Sequence, residues 1–109
     1  MINQLRLYEI DPDLEDVFLD RFRDHALRIM TERYGFRIVA MWLAREEHRL
    51  RFVYLLSWHG ADEMKAKWSA FMADEEWDQI KRDSRIGRHE PVRSIEDIPL
   101  DSVSFSGPL

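Results

Sequence analysis

Between Ile2 and Ile10 the chain alternates, with Leu5 and Leu7 on one side and Gln4, Arg6 and Tyr8 on the other. Period two marks a strand. Its second side, part polar and part aromatic, does not read as ordinary core. The period then changes. Leu14, Val17, Phe18, Phe22, Ala26, Ile29 and Met30 recur at steps of three and four, the stripe of an amphipathic helix, while Asp20, Arg21, Arg23, Asp24 and Arg28 fill its far side. Asp11 before Pro12 supplies an N-cap and a first-turn proline, and Gly35 a C-cap. Residues 36–44 and 49–58 read as two strands joined by the charged link 45–48, an antiparallel hairpin. In the second of these, Phe52, Tyr54, Leu56 and Trp58 alternate against Val53, Leu55 and Ser57.

After His59-Gly60, Asp62 and Glu63 favour a helix start through the macrodipole, and Met64, Trp68, Phe71 and Met72 form its stripe. The next bulky apolar residue, Trp77, falls six beyond Phe71. That slip predicts a broken helix whose second piece is capped by Asp74 and carries Trp77 and Ile80. From Ser84 the pattern thins: Gly87, Pro91 and Pro99 predict loop to about residue 99, then a last strand over 102–105. The tail 105–109 is expected to dock on the body of the domain.

The order β-α-β-β-α-β implies one α+β domain over residues 1–109, a ferredoxin-like antiparallel sheet with its helices on one face. The other face is then uncovered. On this reading it carries Arg6, Tyr8, Trp42, Phe52, Tyr54, Leu56 and Trp58, too apolar a patch to leave in water. An identical sheet is its natural cover, which predicts a homodimer, a dimeric α/β barrel.

Composition narrows the classes of function. No cysteine means no disulfide framework, no thiolate metal site and no thiol catalysis, and it suits a reducing, cytoplasmic setting. No stretch approaches a membrane span, and the N-terminus reads as a strand rather than a signal peptide. A net charge of −5 argues against nucleic-acid binding. Against that balance, residues 81–93 concentrate Lys81, Arg82, Arg85, Arg88 and Arg93 beside only Asp83 and Glu90. This cluster could hold an anion at a dimer rim, but a solvated loop offset by nearby acids is the preferred reading.

The chain also resembles the NIPSNAP family, within the wider dimeric α/β-barrel group. The likeness rests on Gln4-Leu5-Arg6-Leu7-Tyr8, the Tyr34-Gly35-Phe36 turn, Ala40-Met41-Trp42, Tyr54-Leu55-Leu56-Ser57-Trp58, Asp74-Glu75-Glu76-Trp77 and Phe105-Ser106-Gly107-Pro108-Leu109, in that order. Two positions depart: Ala40 stands where the family commonly has glycine, and Trp58 where it has tyrosine. The resemblance implies the dimeric barrel and no particular reaction.

Arg6, Tyr8, Trp42, Tyr54 and Trp58 form the candidate ligand site. Aromatic walls bury a flat ligand, and a guanidinium with two phenols can orient a carbonyl, carboxylate or phenolate. The same side chains could instead simply fill the core. Arg6 discriminates, because a buried guanidinium needs a partner or a solvated cavity; Glu9 is one candidate, though it alternates to the opposite face. An empty volume of roughly 300 Å³ or more with Arg6 in its wall favours binding, and a packed interior favours a purely structural association module.

The four histidines are too dispersed for a metal motif. His48 and His89 read as solvated, while His59 and His25 are the possible acid/base groups, more readily structural than catalytic. Neither haem, any other cofactor nor a metal is expected. An alternative function is a cofactor-independent monooxygenase or isomerase, in which Tyr8 with Arg6, or Tyr54 with His59, deprotonates a phenol or an enolisable carbon.

Overall fold

In the computed structural model, which describes residues 1–109, the alternating segments are strands β1 (Ile2–Ile10), β2 (Arg37–Arg45) and β3 (Leu50–Trp58). A fourth strand, β4, spans Val92–Leu100. The sheet order is β2-β3-β1-β4 with every pairing antiparallel, the ferredoxin-like arrangement. Helices α1 (Glu15–Arg21), α2 (Ala61–Met72) and α3 (Glu75–Ser84) lie on one face. No helix is long and apolar enough to cross a membrane.

The first helical stretch opens where Asp11 and Pro12 place it, as a 3-10 turn over Pro12–Leu14 whose Asp13 amide donates to the Asp11 carboxylate at 3.0 Å. Past α1 it widens into two π-turn segments, Phe22–Ala26 and Ile29–Arg33. The widening follows from the spacing. Phe18, Phe22, Ala26 and Met30 are four apart, and in a regular α-helix each such step overshoots one turn by about 40°. Wider turns hold these residues on one edge, and all four are buried. Gly35 closes the stretch at φ +71°, the left-handed region glycine enters without penalty. The broken second helix is present as read: Asp74 accepts from the Trp77 amide at 2.8 Å and caps α3.

Four expectations are corrected. The last strand is β4 at Val92–Leu100, and residues 101–109 form no strand. The tail buries none of its side chains on its own domain, Phe105 being 89% exposed, although Ser106–Leu109 share a shallow space with Asn3, Val39 and Ser57. Arg21, read as solvent-facing, is buried. The largest correction concerns the two faces of the sheet. Tyr8, Phe52, Tyr54, Leu56 and Trp58 are buried beneath the helices, with Phe18 against Tyr8 and Phe52, Phe22 against Tyr54, and Phe36 against Trp58. Alternation sorts β3 into two sets but does not say which set meets the helices, because both are apolar. Bulk decides it: the aromatic set fills the deep space under the helices, and the slimmer Val53 and Leu55 turn outward.

The open face therefore carries a different patch. Ala40, Leu55, Leu5 and Ile98 stand opposite one another and form one apolar row across all four strands. The next row runs Trp42, Val53, Leu7 and Glu96.

Candidate functional site

Under the helices, the polar members of β1 hydrogen-bond to side chains of β3, α2 and β4 and, between Arg6 and Tyr8, to each other, with Arg6 Nε left buried without a partner. Gln4 is only 1% exposed. Its Oε1 accepts from the indole N–H of Trp58 at 2.9 Å and of Trp68 at 2.8 Å, and its Nε2 donates to Asp97 on β4. Indoles only donate, so the amide has one workable orientation. Arg6 donates to Asp97 at 3.0 Å and to the Tyr8 hydroxyl at 3.1 Å. Its guanidinium carbon lies 4.2 Å from the centroid of a Trp68 ring, a cation–π contact. Asp97, not Glu9, is the partner Arg6 needs.

Beyond Arg6 the sheet and helices part to leave a cavity of about 410 Å³. Arg6, Tyr8 and Ile95 form its sheet side; Phe18, Phe22, Ala26 and Met30 come from the first helical stretch. Trp68, Phe71 and Met72 of α2 and Trp77 of α3 close the remaining wall, and Lys81, Arg85, Glu90, Val92, Arg93 and Ser94, none of them buried, edge the mouth, with the buried Arg21 behind them. The π-turn residues Phe22, Ala26 and Met30 thus supply most of one side of the space, with Phe18 of α1.

Of the candidate residues, the structure brings Arg6, Tyr8 and Tyr54 together. Tyr8 lines the cavity, and its hydroxyl is 2.5 Å from that of Tyr54, buried directly behind it. Burial, with Tyr8 alongside, holds the Tyr54 phenol well above its ordinary pKa, so it stays a neutral hydroxyl. When Tyr54 and Arg6 both donate to Tyr8, the Tyr8 proton is free to point into the cavity. The other residues fall elsewhere. Trp58 is fully buried against Gln4 and does not reach the space, and Trp42 projects from the opposite face of the sheet at 52% exposure. Neither His59 nor His25 lines the cavity. His59 sits exposed at the end of β3, where its amide donates to Glu63. His48 is exposed, and His89 pairs with Asp11.

Sequence reasoning missed Arg21, Glu90 and Ile95. Arg21 reaches Glu90 with both guanidinium nitrogens at 2.9 Å, the bidentate geometry of a strong ion pair. Burial alone would raise the Glu90 carboxyl, but hydrogen bonds from Arg21, the Val92 amide and Arg85 outweigh it and hold the pKa at about 2. A depressed carboxylate stabilises the fold above its unfolded value, and that contribution disappears as pH falls through the folded value. Urea midpoints measured from pH 5 down to 2 should therefore fall less steeply in Glu90→Gln than in the parent. Parallel curves would show that Glu90 does not titrate with folding.

The cavity now has a context among known proteins. The sequence profile of the NIPSNAP family matches residues 3–106. No curated protein matches the chain by sequence. Among solved structures, an uncharacterised NIPSNAP-like domain protein from Burkholderia xenovorans superimposes with a TM-score of 0.81 at 18% identity, covering 99% of this chain and 90% of that one. A NIPSNAP family protein of unknown function from Agrobacterium tumefaciens gives 0.80 at 17% identity, covering 97% and 91%. An antibiotic biosynthesis monooxygenase shares the fold at a TM-score of 0.58 and 18% identity, covering 94% and 99%. The profile spans nearly the full length and the architecture agrees with structures bearing the family name: this chain belongs to the NIPSNAP family.

Proposed function

We propose that the protein is a cytoplasmic homodimer in which each subunit binds a small, largely apolar or aromatic molecule in the cavity between its sheet and its helices. The cavity carries the reading. At about 410 Å³, with Arg6 and Tyr8 in its wall, it has the size and the sparse polar lining of a small-molecule pocket. A volume of that size supports binding over a module that only associates. The dimer rests on the open face, whose apolar row Ala40, Leu55, Leu5 and Ile98 calls for cover by a second copy. The apolar tail residues Phe105 and Leu109, exposed on the single subunit, add surface that a partner would bury.

The test is a native mass-spectrometry screen of small aromatic and aliphatic compounds on the parent and on Ile95→Trp. Ile95 lies opposite Tyr8 and is exposed enough to accept a larger side chain, which then blocks the cavity. Compounds retained by the parent should be lost from the variant. No retention by the parent, or equal retention by both, sinks the reading.

A second reading rests on the Arg6, Tyr8 and Tyr54 hydroxyl chain. The Tyr8 hydroxyl, in the cavity wall and hydrogen-bonded to both neighbours, is the group placed to exchange a proton with a phenol or an enolisable carbon. The fold shared with the named monooxygenase is compatible with that chemistry. Turnover without added flavin or metal, abolished in Tyr8→Phe, is the required result; retention of turnover in Tyr8→Phe removes it.

A further inference from the structure

Of the basic residues in the cluster 81–93, which the sequence placed in a solvated loop, Lys81, Arg85 and Arg93 line the cavity, while Arg82 and Arg88 stay in solvent. Five of the chain's 16 Lys and Arg residues line this one space, against a single one of its 21 acids, Glu90. In a chain of net charge −5, that concentration is the reverse of the average surface.

Pairing removes part of the excess. Arg6 is matched by Asp97 and Arg93 by Asp11, both acids lying just outside the lining. Arg21 and Arg85 share the one carboxylate of Glu90. Lys81 has no ion pair, and its ammonium lies 5.7 Å from the centroid of Trp77, over an apolar wall. The mouth thus keeps two positive charges without a carboxylate, one from Lys81 and one from the Arg21–Arg85–Glu90 group. They sit close along the chain, Lys81 in the last turn of α3 and Arg85 as the residue that caps its C-terminus. Inward of them the lining turns apolar, through Trp77, Phe71 and Met30.

We infer that the ligand is an amphipathic anion, an apolar or aromatic body carrying a carboxylate that meets Lys81 and Arg85 at the mouth while the body lies among the aromatics. The inference rests on the binding reading above and specifies its ligand class. A charge-assisted hydrogen bond in a half-enclosed site favours the carboxylate over a neutral isostere by roughly tenfold or more, and the preference weakens as salt screens the exposed side of the mouth.

Isothermal titration calorimetry with matched probes decides it. Decanoate and naphthoate are each compared with the alcohol and the primary amine of the same skeleton, on the parent and on Lys81→Gln. The two skeletons separate an aliphatic from an aromatic body. The expected result is that at least one carboxylate binds about tenfold or more tighter than its alcohol, that its amine binds most weakly, and that Lys81→Gln removes most of the preference without removing binding of the alcohol. An alcohol that binds as well as its carboxylate overturns the inference and leaves the cavity reading intact. A preference that survives Lys81→Gln unchanged overturns the assignment to this mouth. Absence of binding by every probe overturns both readings together.

Discussion

Replacing Gln4 by leucine should cost the fold about 2–4 kcal/mol, even though it puts an apolar side chain of similar size into a buried site. The substitution strands donors. The indole N–H groups of Trp58 and Trp68 both end on the Gln4 oxygen, and Trp58 has no solvent exposure through which water could replace it. A buried donor left without an acceptor costs about 1–3 kcal/mol, more than the gain from burying a leucine in place of an amide. Against a total stability of about 5–15 kcal/mol for a domain of this size, the loss is large. Urea unfolding followed by circular dichroism would report it as a lower midpoint at unchanged slope. Trp58→Phe, which removes one of the donors, should cost less in the Gln4→Leu background than in the parent, because the two residues share one interaction. An unchanged midpoint in Gln4→Leu would show that the amide is incidental.

The second large effect is expected on the opposite face. Leu55→Glu puts a carboxylate in the middle of the apolar row, between Ala40 and Leu5. Across a two-fold axis the change occurs twice, so two like charges enter one dry contact. Desolvation and repulsion of that kind cost several kcal/mol, or about three orders of magnitude in the dissociation constant. Sedimentation velocity at micromolar concentration should give the parent at twice 13.2 kDa and the variant at 13.2 kDa. Because Leu55 projects away from the helices, the circular dichroism of the variant should match the parent. A parent that itself sediments as a monomer removes the dimer.

Much of the fold was legible because period and punctuation agreed. β1 alternates, Asp11 and Gly35 bracket the first helical stretch, and the six-residue gap before Trp77 marks the break that Asp74 caps. β4 was not legible. Its apolar residues Val92, Ile95 and Ile98 fall at three-residue steps, and Pro99 sits near its end. An edge strand tolerates both, since it pairs on one side only, and its charges Arg93, Glu96 and Asp97 discourage further pairing. Losing β4 concealed half of the site with it: Asp97, the partner of Arg6, and Ile95 and Arg93 at the cavity. Arg6 and Tyr8 could be named because a guanidinium and a phenol in an alternating strand need an explanation wherever they face. Trp58 was misplaced for a different reason. Hydropathy sees an aromatic but not the amide of Gln4, far away in the chain, that anchors it. The mouth of the cavity is built across sequence separations such as that between Arg21 and Glu90, which no local period encodes.

The placement of the four tryptophans means that each half of the protein has its own optical reporter. Trp42 is the only indole on the open face of the sheet, while Trp68 and Trp77 look into the cavity and Trp58 lies sealed behind Gln4. Iodide in the buffer should quench Trp42 emission and spare Trp58. Protection of Trp42 would then follow coverage of the open face alone, and a change in Trp68 and Trp77 emission would follow filling of the cavity. Two events on opposite sides of one thin sheet become separately visible without a label.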